Sequence, residues 1–358
     1  MLKVIEYKSG KIVILDQRKL PQQVRFVTCK NYREVVKAIR QMAIRGAPAL
    51  GVTTAFGIAL GGKNFKPRIR RIKEEKEIFF RKLNKIGKEF VAARPTAVNI
   101  SWATLRMLSV ARNHKDRSVR EIQSLLTKEA KTIYAENLDS ERKIAWEGLK
   151  IIKRGNTILT HCNTGTLATA GEGTALGVIK NAYRKGKKIK VFVDETRPRL
   201  QGARLTTWEL KQSKIPFTLI CDTMAGYFMR KGEVDLVLVG ADRVAANGDV
   251  ANKIGTYTLS VLARENRIPF YVVCPISTID FTKKTGQEIV IENRSSREVS
   301  HLFNRRICPE EIAIANPAFD LTPARYITGI ITERGIIRSP YRRNLRNLVT
   351  ESHEKFFG

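Results

Sequence analysis

The second half of this chain contains a series of short apolar runs, separated by segments with helical periodicity. Five such runs, rich in β-branched residues, stand at 156–161, 190–195, 217–222, 235–242 and 270–275. Apolar runs of this length are typical of strands buried on both faces, and their alternation with helices indicates parallel βαβ units. Because crossovers between such strands are right-handed, we predict a doubly wound, Rossmann-like parallel sheet.

The first half of the chain predicts a different architecture. Three extended stretches open it, at 3–7, 11–16 and 23–28. Ser9 and Gly10 between the first two indicate a tight turn, so a small antiparallel β element is expected. From Asn31 to about Lys153, apolar residues recur at intervals of three and four, which predicts helices. The predicted fold class is therefore α/β, with a mainly helical N-terminal part and a small antiparallel β element before the parallel sheet.

A length of 358 residues favours two domains over one. We place an N-terminal helical domain with the small β-sheet at 1–135 and a Rossmann-like catalytic domain at 136–358. The helical segment at 117–153 contains no proline and is expected to link the two domains.

Composition excludes several classes of protein. No run approaches the roughly 20 apolar residues of a membrane helix, and the N-terminal segment lacks the features of a signal peptide. The expected location is the cytoplasm, with no membrane partner. The cysteines are odd in number and form no CxxC pair, so we expect free thiols and neither a disulfide framework nor a zinc site. They are Cys29, Cys162, Cys221, Cys274 and Cys308.

The formal charge of +31 raises nucleic-acid binding as a hypothesis. Lysine and arginine are spread along the whole chain, however, and are locally dense only at 66–82 and 341–347. Glutamates interleave with them in the first of these segments at helical spacing, which favours a solvated helix face. We therefore regard a nucleic-acid partner as possible but do not expect one. The charge should attract an anionic substrate.

In open parallel sheets, ligands bind beyond the carboxyl ends of the strands, so the residues that end each apolar run are candidates for chemistry. Four of the runs end in polar or reactive side chains: His161 and Cys162, Asp194 and Glu195, Cys221 and Asp222, and Asp242. Asp194 and Asp222 have an alternative interpretation, because an aspartate before a helix can cap its free amides.

Asp242 and Cys162 are the stronger candidates. Asp242 lies close to a glycine, and the sequence Asn-Gly-Asp at 247–249 predicts a turn, with the next helix expected only near Lys253. An acid at a strand end with no helix to cap favours a chemical role. Cys162 lies between a strand and a glycine-rich segment, a position that favours reactivity over inert packing.

The glycine-rich segment after Cys162 does not match the dinucleotide fingerprint GxGxxG, because Gly171 and Gly173 are followed by glycine at 177 and not at 176. A nicotinamide cofactor is therefore not expected. The segment predicts a strand-to-helix turn whose backbone amides could hold a phosphate group.

The sequence Arg-Gly-Ala-Pro at 45–48 is a second candidate for phosphate binding. Arg45 offers a forked donor, and Gly46 permits close approach of the backbone. The alternative interpretation is a helix boundary set by Pro48.

Six long motifs follow one another along nearly the whole chain. They are RGAPALG (45–51), ARPTAVNISWA (93–103), THCNTGTLATAGEGTALG (160–177), DETRPRLQGARLTTWEL (194–210), GADRVAANGDVANKIGTY (240–257) and NPAFDLTPARYITGIITERG (316–335). In these motifs the chain resembles the methylthioribose-1-phosphate isomerase family. The same group contains archaeal ribose-1,5-bisphosphate isomerase and the regulatory subunits of the exchange factor for translation initiation factor 2. Glu172 departs from the aromatic residue more common in the family, which affects the expected loop shape but not the reaction.

The resemblance implies a set of site residues. It places the catalytic cysteine at Cys162 and the catalytic acid at Asp242. It assigns substrate binding to Arg45, Gly46, Ala47, Arg94, Gln201, Asn252 and Lys253. It implies no metal and no organic cofactor, and a homodimer formed through the Rossmann-like domain.

The implied reaction is the aldose–ketose isomerisation of 5-methylthioribose 1-phosphate to 5-methylthioribulose 1-phosphate in methionine salvage. The phosphate on the anomeric oxygen locks the sugar ring, so ring opening must come first, and a protonated Asp242 could supply a proton to the ring oxygen. Cys162 could then move hydrogen as a thiolate base or stabilise a hydride shift.

Two alternative functions are considered. Ribose-1,5-bisphosphate isomerase has similar chemistry, but the motifs NPAFDLTP and ARPTAVNISWA favour the methylthioribose enzyme. A non-catalytic regulatory subunit that binds sugar phosphates or nucleotides is the second, and the presence of both Cys162 and Asp242 argues against it. An added RNA-binding role would show itself as salt-sensitive retention of RNA.

Overall fold

A computed structural model describes residues 3–66, 72–94 and 97–348. Those residues form two compact units. The first unit contains the described residues up to Arg142 together with 166–173, and the second contains 143–165 together with 174–348. A single domain boundary between residues 135 and 136 stays a prediction.

The first unit is mainly helical and carries a small antiparallel sheet. Its elements are β1 (Ile5–Lys8), β2 (Lys11–Leu15), β3 (Phe26–Cys29), α1 (Tyr32–Arg40), α2 (Ala47–Lys63), α3 (Ile72–Val91), α4 (Val98–Asn113), α5 (Val119–Leu149) and α6 (Thr166–Thr169). The sheet has the order β1-β2-β3, with a tight hairpin between the first two strands. Helix α5 continues past Arg142 into the second unit. The predicted helical part with its antiparallel element is confirmed, and residues 67–71 of the predicted charged helix lie outside the described residues.

Helix α2 is the centre of the first unit, because it is buried on all sides apart from its last residue. A helix that is apolar all round is typical of a core element. Its small residues allow neighbouring side chains to approach closely: a Cβ on Gly57 would lie 2.3 Å from the ring of Phe90, and one on Gly61 would lie 2.7 Å from Cδ1 of Ile86. The small-residue run after Arg45 is therefore a packing feature.

The second unit contains most of the strands. Its elements are β4 (Thr157–Thr160), α7 (Ala175–Arg184), β5 (Lys190–Asp194), α8 (Thr207–Gln212), β6 (Phe217–Ile220), α9 (Ala225–Arg230), β7 (Leu236–Val239), β8 (Arg243–Ala245), β9 (Val250–Lys253), α10 (Thr256–Glu265), β10 (Phe270–Val273), β11 (Ile279–Asp280), α11 (Arg297–Ser300), β12 (His301–Leu302), β13 (Arg305–Arg306), β14 (Phe319–Thr322), β15 (Gly329–Thr332), β16 (Gly335–Ile337) and α12 (Tyr341–Arg346). Each of the five predicted runs forms a strand of one sheet.

That sheet has the order β16-β15-β10-β7-β4-β5-β6, and all neighbours are parallel except β16 at one edge. From β4 the chain proceeds outward to β6, then returns to β7 on the other side of β4 and proceeds outward again. This is the strand order of doubly wound, Rossmann-like folds, with the topological switch point between β4 and β7. The predicted fold class is confirmed.

The strands are apolar along their whole length because side chains on both faces of the sheet are buried. In β7, Val237 and Val239 belong to one apolar cluster, and Leu236 and Leu238 belong to another. Successive side chains of a strand point to opposite faces, so each face has its own core. Burial of one such side chain contributes roughly 1.5–3 kcal/mol.

A second sheet, of order β11-β8-β9-β14, was not predicted. The Asn-Gly-Asp sequence at 247–249 forms a turn as expected, and it joins β8 to β9 as an antiparallel pair. Lys253 ends β9, and the helix expected near this residue, α10, begins three residues later, at Thr256. Strand β9 forms because it pairs with β14, which lies far along the sequence.

Candidate active site

Cys162 lies just beyond β4, at the switch point of the large sheet. Its backbone has a positive φ of 60°, which is uncommon for a residue with a side chain. The residue is 8% exposed. Its N–H donates to Oγ1 of Thr196 over 2.8 Å, and its carbonyl accepts a hydrogen bond from Oγ1 of Thr206 over 2.6 Å. Cys162 is therefore held at both polar groups of its backbone.

Asp242 follows β7, the strand that neighbours β4 at the switch point. In the register of the two strands Thr160 pairs with Leu238, so Cys162 lies two residues beyond this pair and Asp242 four residues beyond it. Neighbouring strands are about 4.8 Å apart, and both residues follow carboxyl ends. The N–H of Asp242 donates to the carbonyl of Ala251 over 3.0 Å, which ties the acid to β9.

The two loops beyond β4 and β7 approach closely. A Cβ on Gly240 would lie 2.8 Å from Cγ2 of Thr164. Glycine at this position therefore permits the contact between the segment that carries Asp242 and the segment that follows Cys162.

His161 ends β4 and is buried against Asp194 at the end of β5. Its Nδ1 lies 2.9 Å from Oδ2 of Asp194, and its Nε2 lies 2.9 Å from the carbonyl oxygen of Ile254. Both neighbours offer acceptor oxygens, so both ring nitrogens can donate when the imidazole is protonated. Burial lowers the pKa of His161, but the hydrogen bond to Asp194 and its charge outweigh burial, so the pKa is raised.

Asp222 does not cap the helix that follows it. Its carboxylate accepts the backbone N–H groups of Thr196 and Arg197, each over 2.7 Å. Asp194 is likewise engaged by His161. The capping interpretation of these two aspartates was therefore wrong.

Among the described residues, the one group of at least three potential metal ligands is His161, Asp194 and Asp222, whose donor atoms lie within 4.8 Å of one another. Each of these side chains already has a protein hydrogen-bond partner. We assign no metal to this group.

Gln201, Asn252 and Lys253 also lie in the second unit and are each 5% exposed. Gln201 directly precedes a π-helical turn, Gly202–Thr206, a local geometry frequent at functional sites. Oε1 of Gln201 has no hydrogen-bond partner among the described residues. The amide of Asn252 donates to Oγ1 of Thr256 over 3.0 Å.

Lys253 is a buried cation at the end of β9. Its Nζ donates to the carbonyl of Ala318 over 2.7 Å and lies 4.5 Å from the centre of the Phe319 ring. The aromatic face and the carbonyl stabilise the ammonium group in its buried position.

Arg45, Gly46 and Ala47 lie in the first unit, where they lead into α2. Gly46 precedes the helix with a φ of +94°, and a Cβ there would lie 2.2 Å from the carbonyl oxygen of Ala168. Pro48 is the second residue of α2, so the segment is also the helix boundary that the proline predicts. Arg45 is half-buried beside it.

Arg94 lies in the first unit after α3 and is 8% exposed. Its Nη1 lies 3.1 Å from Sδ of Met42, three residues before Arg45. Residues 95 and 96 of the motif that contains Arg94 lie outside the described residues.

Sequence reasoning missed Glu141, on α5. This side chain is 1% exposed and accepts hydrogen bonds from Nδ2 of Asn137 (2.6 Å), Oγ1 of Thr169 (2.8 Å) and the N–H of Gly173 (2.6 Å). Burial raises the pKa of Glu141 to about 7, although these hydrogen bonds oppose the shift.

The glycine-rich segment was predicted to offer free amides to a phosphate. In the first unit, the N–H groups of Gly171 and Gly173 donate to Thr169 and Glu141. In the second unit, those of Thr174 and Leu176 donate to Thr164. These four amides have protein acceptors, so the prediction was wrong for them.

The cysteines are all free thiols in the structure. Among the described residues, no helix has the length and apolar character that crossing a membrane requires.

Comparison with known proteins agrees with this geometry. The model of the initiation factor 2 subunit family matches residues 43–339. A methylthioribose-1-phosphate isomerase of Geotalea uraniireducens is 54% identical over 347 residues, which cover 97% of this chain and 99% of that protein.

Two solved structures are also similar. The 5-methylthioribose 1-phosphate isomerase of Pyrococcus horikoshii has a TM-score of 0.88 and 41% identity, over 97% of this chain and 96% of that one. A structure described as the delta subunit of translation initiation factor eIF-2B from A. fulgidus has a TM-score of 0.83 and 41% identity, over 97% and 99%. The chain therefore belongs to the initiation factor 2 subunit family and, within it, to the methylthioribose-1-phosphate isomerases.

Proposed function

We propose that the chain converts 5-methylthioribose 1-phosphate to 5-methylthioribulose 1-phosphate, with Cys162 and Asp242 as the catalytic residues. One observation carries the assignment of the pair: Cys162 and Asp242 follow the two strands that flank the switch point of a Rossmann-like sheet. Ligands of such sheets bind at this point. Full-length relatives that carry the name of this isomerase support the reaction.

Asp242 is proposed as the general acid. An aldose 1-phosphate is an acetal, so no carbonyl group is present to acidify the neighbouring C–H bond. Protonation of the ring oxygen opens the ring, which requires an acid held beside that oxygen. The N–H of Asp242 donates to the carbonyl of Ala251, which fixes the backbone that carries this carboxyl group just beyond the apolar strand β7.

Cys162 is proposed to act on the hydrogen that moves between the two carbons. It can do so as a thiolate that removes and returns a proton, or as a group that stabilises a hydride shift. In both routes its sulfur must have a fixed direction relative to the substrate. The hydrogen bonds to the backbone N–H and to the carbonyl of Cys162 supply such a fixed position.

The substrate-binding residues are proposed from the family motifs, with support from their burial. Oε1 of Gln201 and the amide of Asn252 are suited to sugar hydroxyls. Lys253 is a buried cation suited to the phosphate. The guanidinium groups of Arg45 and Arg94 can bind phosphate through two parallel hydrogen bonds. Gly46 and Ala47 are proposed to contribute backbone groups.

The regulatory-subunit alternative has one similarity behind it, the 41% identity to a structure described as a subunit of a translation initiation factor, and this equals the identity to the isomerase structure of Pyrococcus horikoshii. The 54% identity to an isomerase over nearly the whole of both chains favours catalysis. Ribose 1,5-bisphosphate stays an alternative substrate for the same residues.

The deciding experiment is a turnover assay of the purified protein on 5-methylthioribose 1-phosphate and, separately, on ribose 1,5-bisphosphate. Cys162→Ser and Asp242→Asn should lower turnover by orders of magnitude while substrate still binds. Cys308→Ser is the matched control and should keep full activity. Near-normal turnover of either catalytic variant would contradict the assignment of the catalytic residues. Faster turnover of ribose 1,5-bisphosphate would identify that sugar as the substrate instead.

A cytoplasmic homodimer is part of the proposal. Free cysteines are typical of a reducing compartment. The edge strand β6 exposes Leu219, and the nearby Met224 and Tyr227 are also exposed, which supports a contact between two copies. Light scattering coupled to size exclusion checks this, and a monomer at micromolar concentration would contradict it.

A further inference from the structure

Cys162 adopts a backbone conformation that its surroundings must maintain. Its φ of 60° lies in the left-handed region, which is unfavourable for a residue with a side chain. Such conformations persist where neighbouring groups fix them, and they cluster at functional sites. The position of the thiol therefore depends on the groups that form hydrogen bonds with the backbone of Cys162.

Two threonine hydroxyls hold it. Thr196 accepts the N–H of Cys162 over 2.8 Å and donates to the carbonyl of Asp194 over 3.0 Å. Thr206, in the π-helical turn, donates to the carbonyl of Cys162 over 2.6 Å. Both threonines are buried, so the lost hydrogen bonds would not be replaced freely by water.

A buried chain of polar side chains fixes the direction of the Thr206 hydroxyl. A carboxylate only accepts hydrogen bonds, so Asn163 must present its NH₂ group to Oε1 of Glu209, 2.9 Å away. The same NH₂ group donates to Oγ1 of Thr206 over 3.1 Å. Thr206 therefore accepts from Asn163 and directs its single proton to the carbonyl of Cys162.

The far end of this chain is a buried ion pair. Nζ of Lys180, on α7, lies 2.6 Å from Oε2 of Glu209, on α8, and both side chains are almost fully buried. The pair keeps Glu209 in its accepting form beside Asn163. Donor and acceptor are thereby defined for every hydrogen bond between Lys180 and the carbonyl of Cys162.

We propose that Thr206 is a positioning residue for Cys162: its hydroxyl, oriented by Asn163 and the Lys180–Glu209 pair, holds the cysteine peptide so that the thiol points at the reacting carbons. This inference rests on the proposed function. A displacement of about 1 Å at a reacting group can cost about 100-fold in rate. Loss of the hydroxyl should therefore affect the rate of reaction more than substrate binding.

The test compares three variants at neighbouring positions. Thr206→Val removes the hydroxyl and keeps the shape, Thr206→Ser keeps the hydroxyl, and Thr207→Val is the matched control, because the hydroxyl of Thr207 bonds to the carbonyl of Ala203 and not to Cys162. We expect Thr206→Val to lower kcat by about 10- to 100-fold with KM changed less than about threefold. Thr206→Ser should restore most of kcat, and Thr207→Val should leave it unchanged.

A second readout does not depend on turnover. The rate of alkylation of Cys162 by iodoacetamide, followed by peptide mass mapping with Cys308 as internal reference, should change in Thr206→Val and not in Thr207→Val. Unchanged kcat and unchanged Cys162 alkylation in a folded Thr206→Val protein would overturn the inference. So would an equal loss in Thr207→Val.

The two proposals fail in different ways. If the wild-type protein does not turn over methylthioribose 1-phosphate, the proposed function fails, while the alkylation rates still decide whether Thr206 positions Cys162. If Thr206→Val does not fold, Thr206→Ala, which introduces no new methyl group, undergoes the same two measurements.

Discussion

Nδ1 of His161 lies 2.9 Å from Oδ2 of Asp194, and both side chains are 1% exposed. The pair joins the ends of β4 and β5, the strands that lead to Cys162 and to the segment before Gln201. The other ring nitrogen binds the carbonyl of Ile254, directly after Lys253. His161 therefore links three segments that carry proposed site residues.

The stability of the protein should fall as the pH rises through the raised pKa of His161. The folded state binds a proton that the unfolded state releases near the ordinary value of 6.5, so the stabilisation is complete below 6.5 and is lost above it. His161→Gln should flatten this dependence, because glutamine does not titrate. Thermal unfolding between about pH 6 and 9 measures it.

The half-exposed His301 supplies the control. His301→Gln should keep the pH dependence of the wild type. A His161→Gln protein with the same slope as the wild type would show that another group is responsible, Asp194 and Asp222 being the nearest charges.

Glu141 should make a separate contribution at lower pH. Its pKa of about 7 exceeds the ordinary value of 4.5, so the folded state binds the proton more tightly and stability falls as the pH rises from about 4.5 to 7. The loss amounts to about 3 kcal/mol. Glu141→Gln should remove this slope. Its amide keeps only one acceptor oxygen, so it loses at every pH either the bond from Asn137 to Oε1 or the bonds from Thr169 and Gly173 to Oε2. The slope of urea unfolding free energy against pH is therefore the readout.

Glu121 on the same helix is exposed, and its pKa is lowered by its hydrogen bonds to Ser118. Glu121→Gln should therefore keep the slope between about pH 4.5 and 7. An unchanged slope in Glu141→Gln would contradict the role given to its carboxyl group.

The parallel sheet could be predicted because each of its strands carries its own signal. In β7, buried apolar residues on both faces produce one continuous run, and the acid that follows stands out against it. The order of the strands then puts the residues that follow β4 and β7 at the same edge of the sheet. The catalytic roles of Cys162 and Asp242 stay a prediction.

Features that depend on distant partners could not be predicted in this way. Strand β9 contains Asn252 and Lys253 and reads as a loop or helix start until it pairs with β14, where Asp320 lies opposite Asn252. Glu141 occupies a helical sequence rich in charge, and only its bonds to Thr169 and Gly173 reveal that it is buried. In both cases the determining contact joins residues far apart in the sequence.

Gly46 should tolerate no side chain. Gly46→Ala would place a methyl group 2.2 Å from the carbonyl oxygen of Ala168 and would also hold a φ of +94°. We expect a loss of more than about 3 kcal/mol in the free energy of unfolding, or no folded protein. Gly10→Ala is the control in the same unit: its φ is +70°, but its nearest neighbour is the end of Lys63 at 3.6 Å, so only about 1 kcal/mol should be lost. Equal losses in urea unfolding would show that the approach of Ala168 does not matter.

Arg94 should act mainly on substrate binding. Arg94→Lys keeps the charge but loses the planar fork that binds two phosphate oxygens at once, and lysine is a weaker match for this geometry. We expect KM to rise about tenfold, because a lost charge-assisted hydrogen bond costs roughly 1.5–3 kcal/mol, while kcat stays within about threefold. The exposed Arg112, at the end of α4, supplies the control, and Arg112→Lys should leave KM unchanged. Since Arg94 is itself buried beside Met42, a melting temperature close to that of the wild type must accompany the result. An Arg94→Lys protein with unchanged KM would remove Arg94 from the phosphate site, and one with lowered kcat alone would place it at the reacting carbons instead.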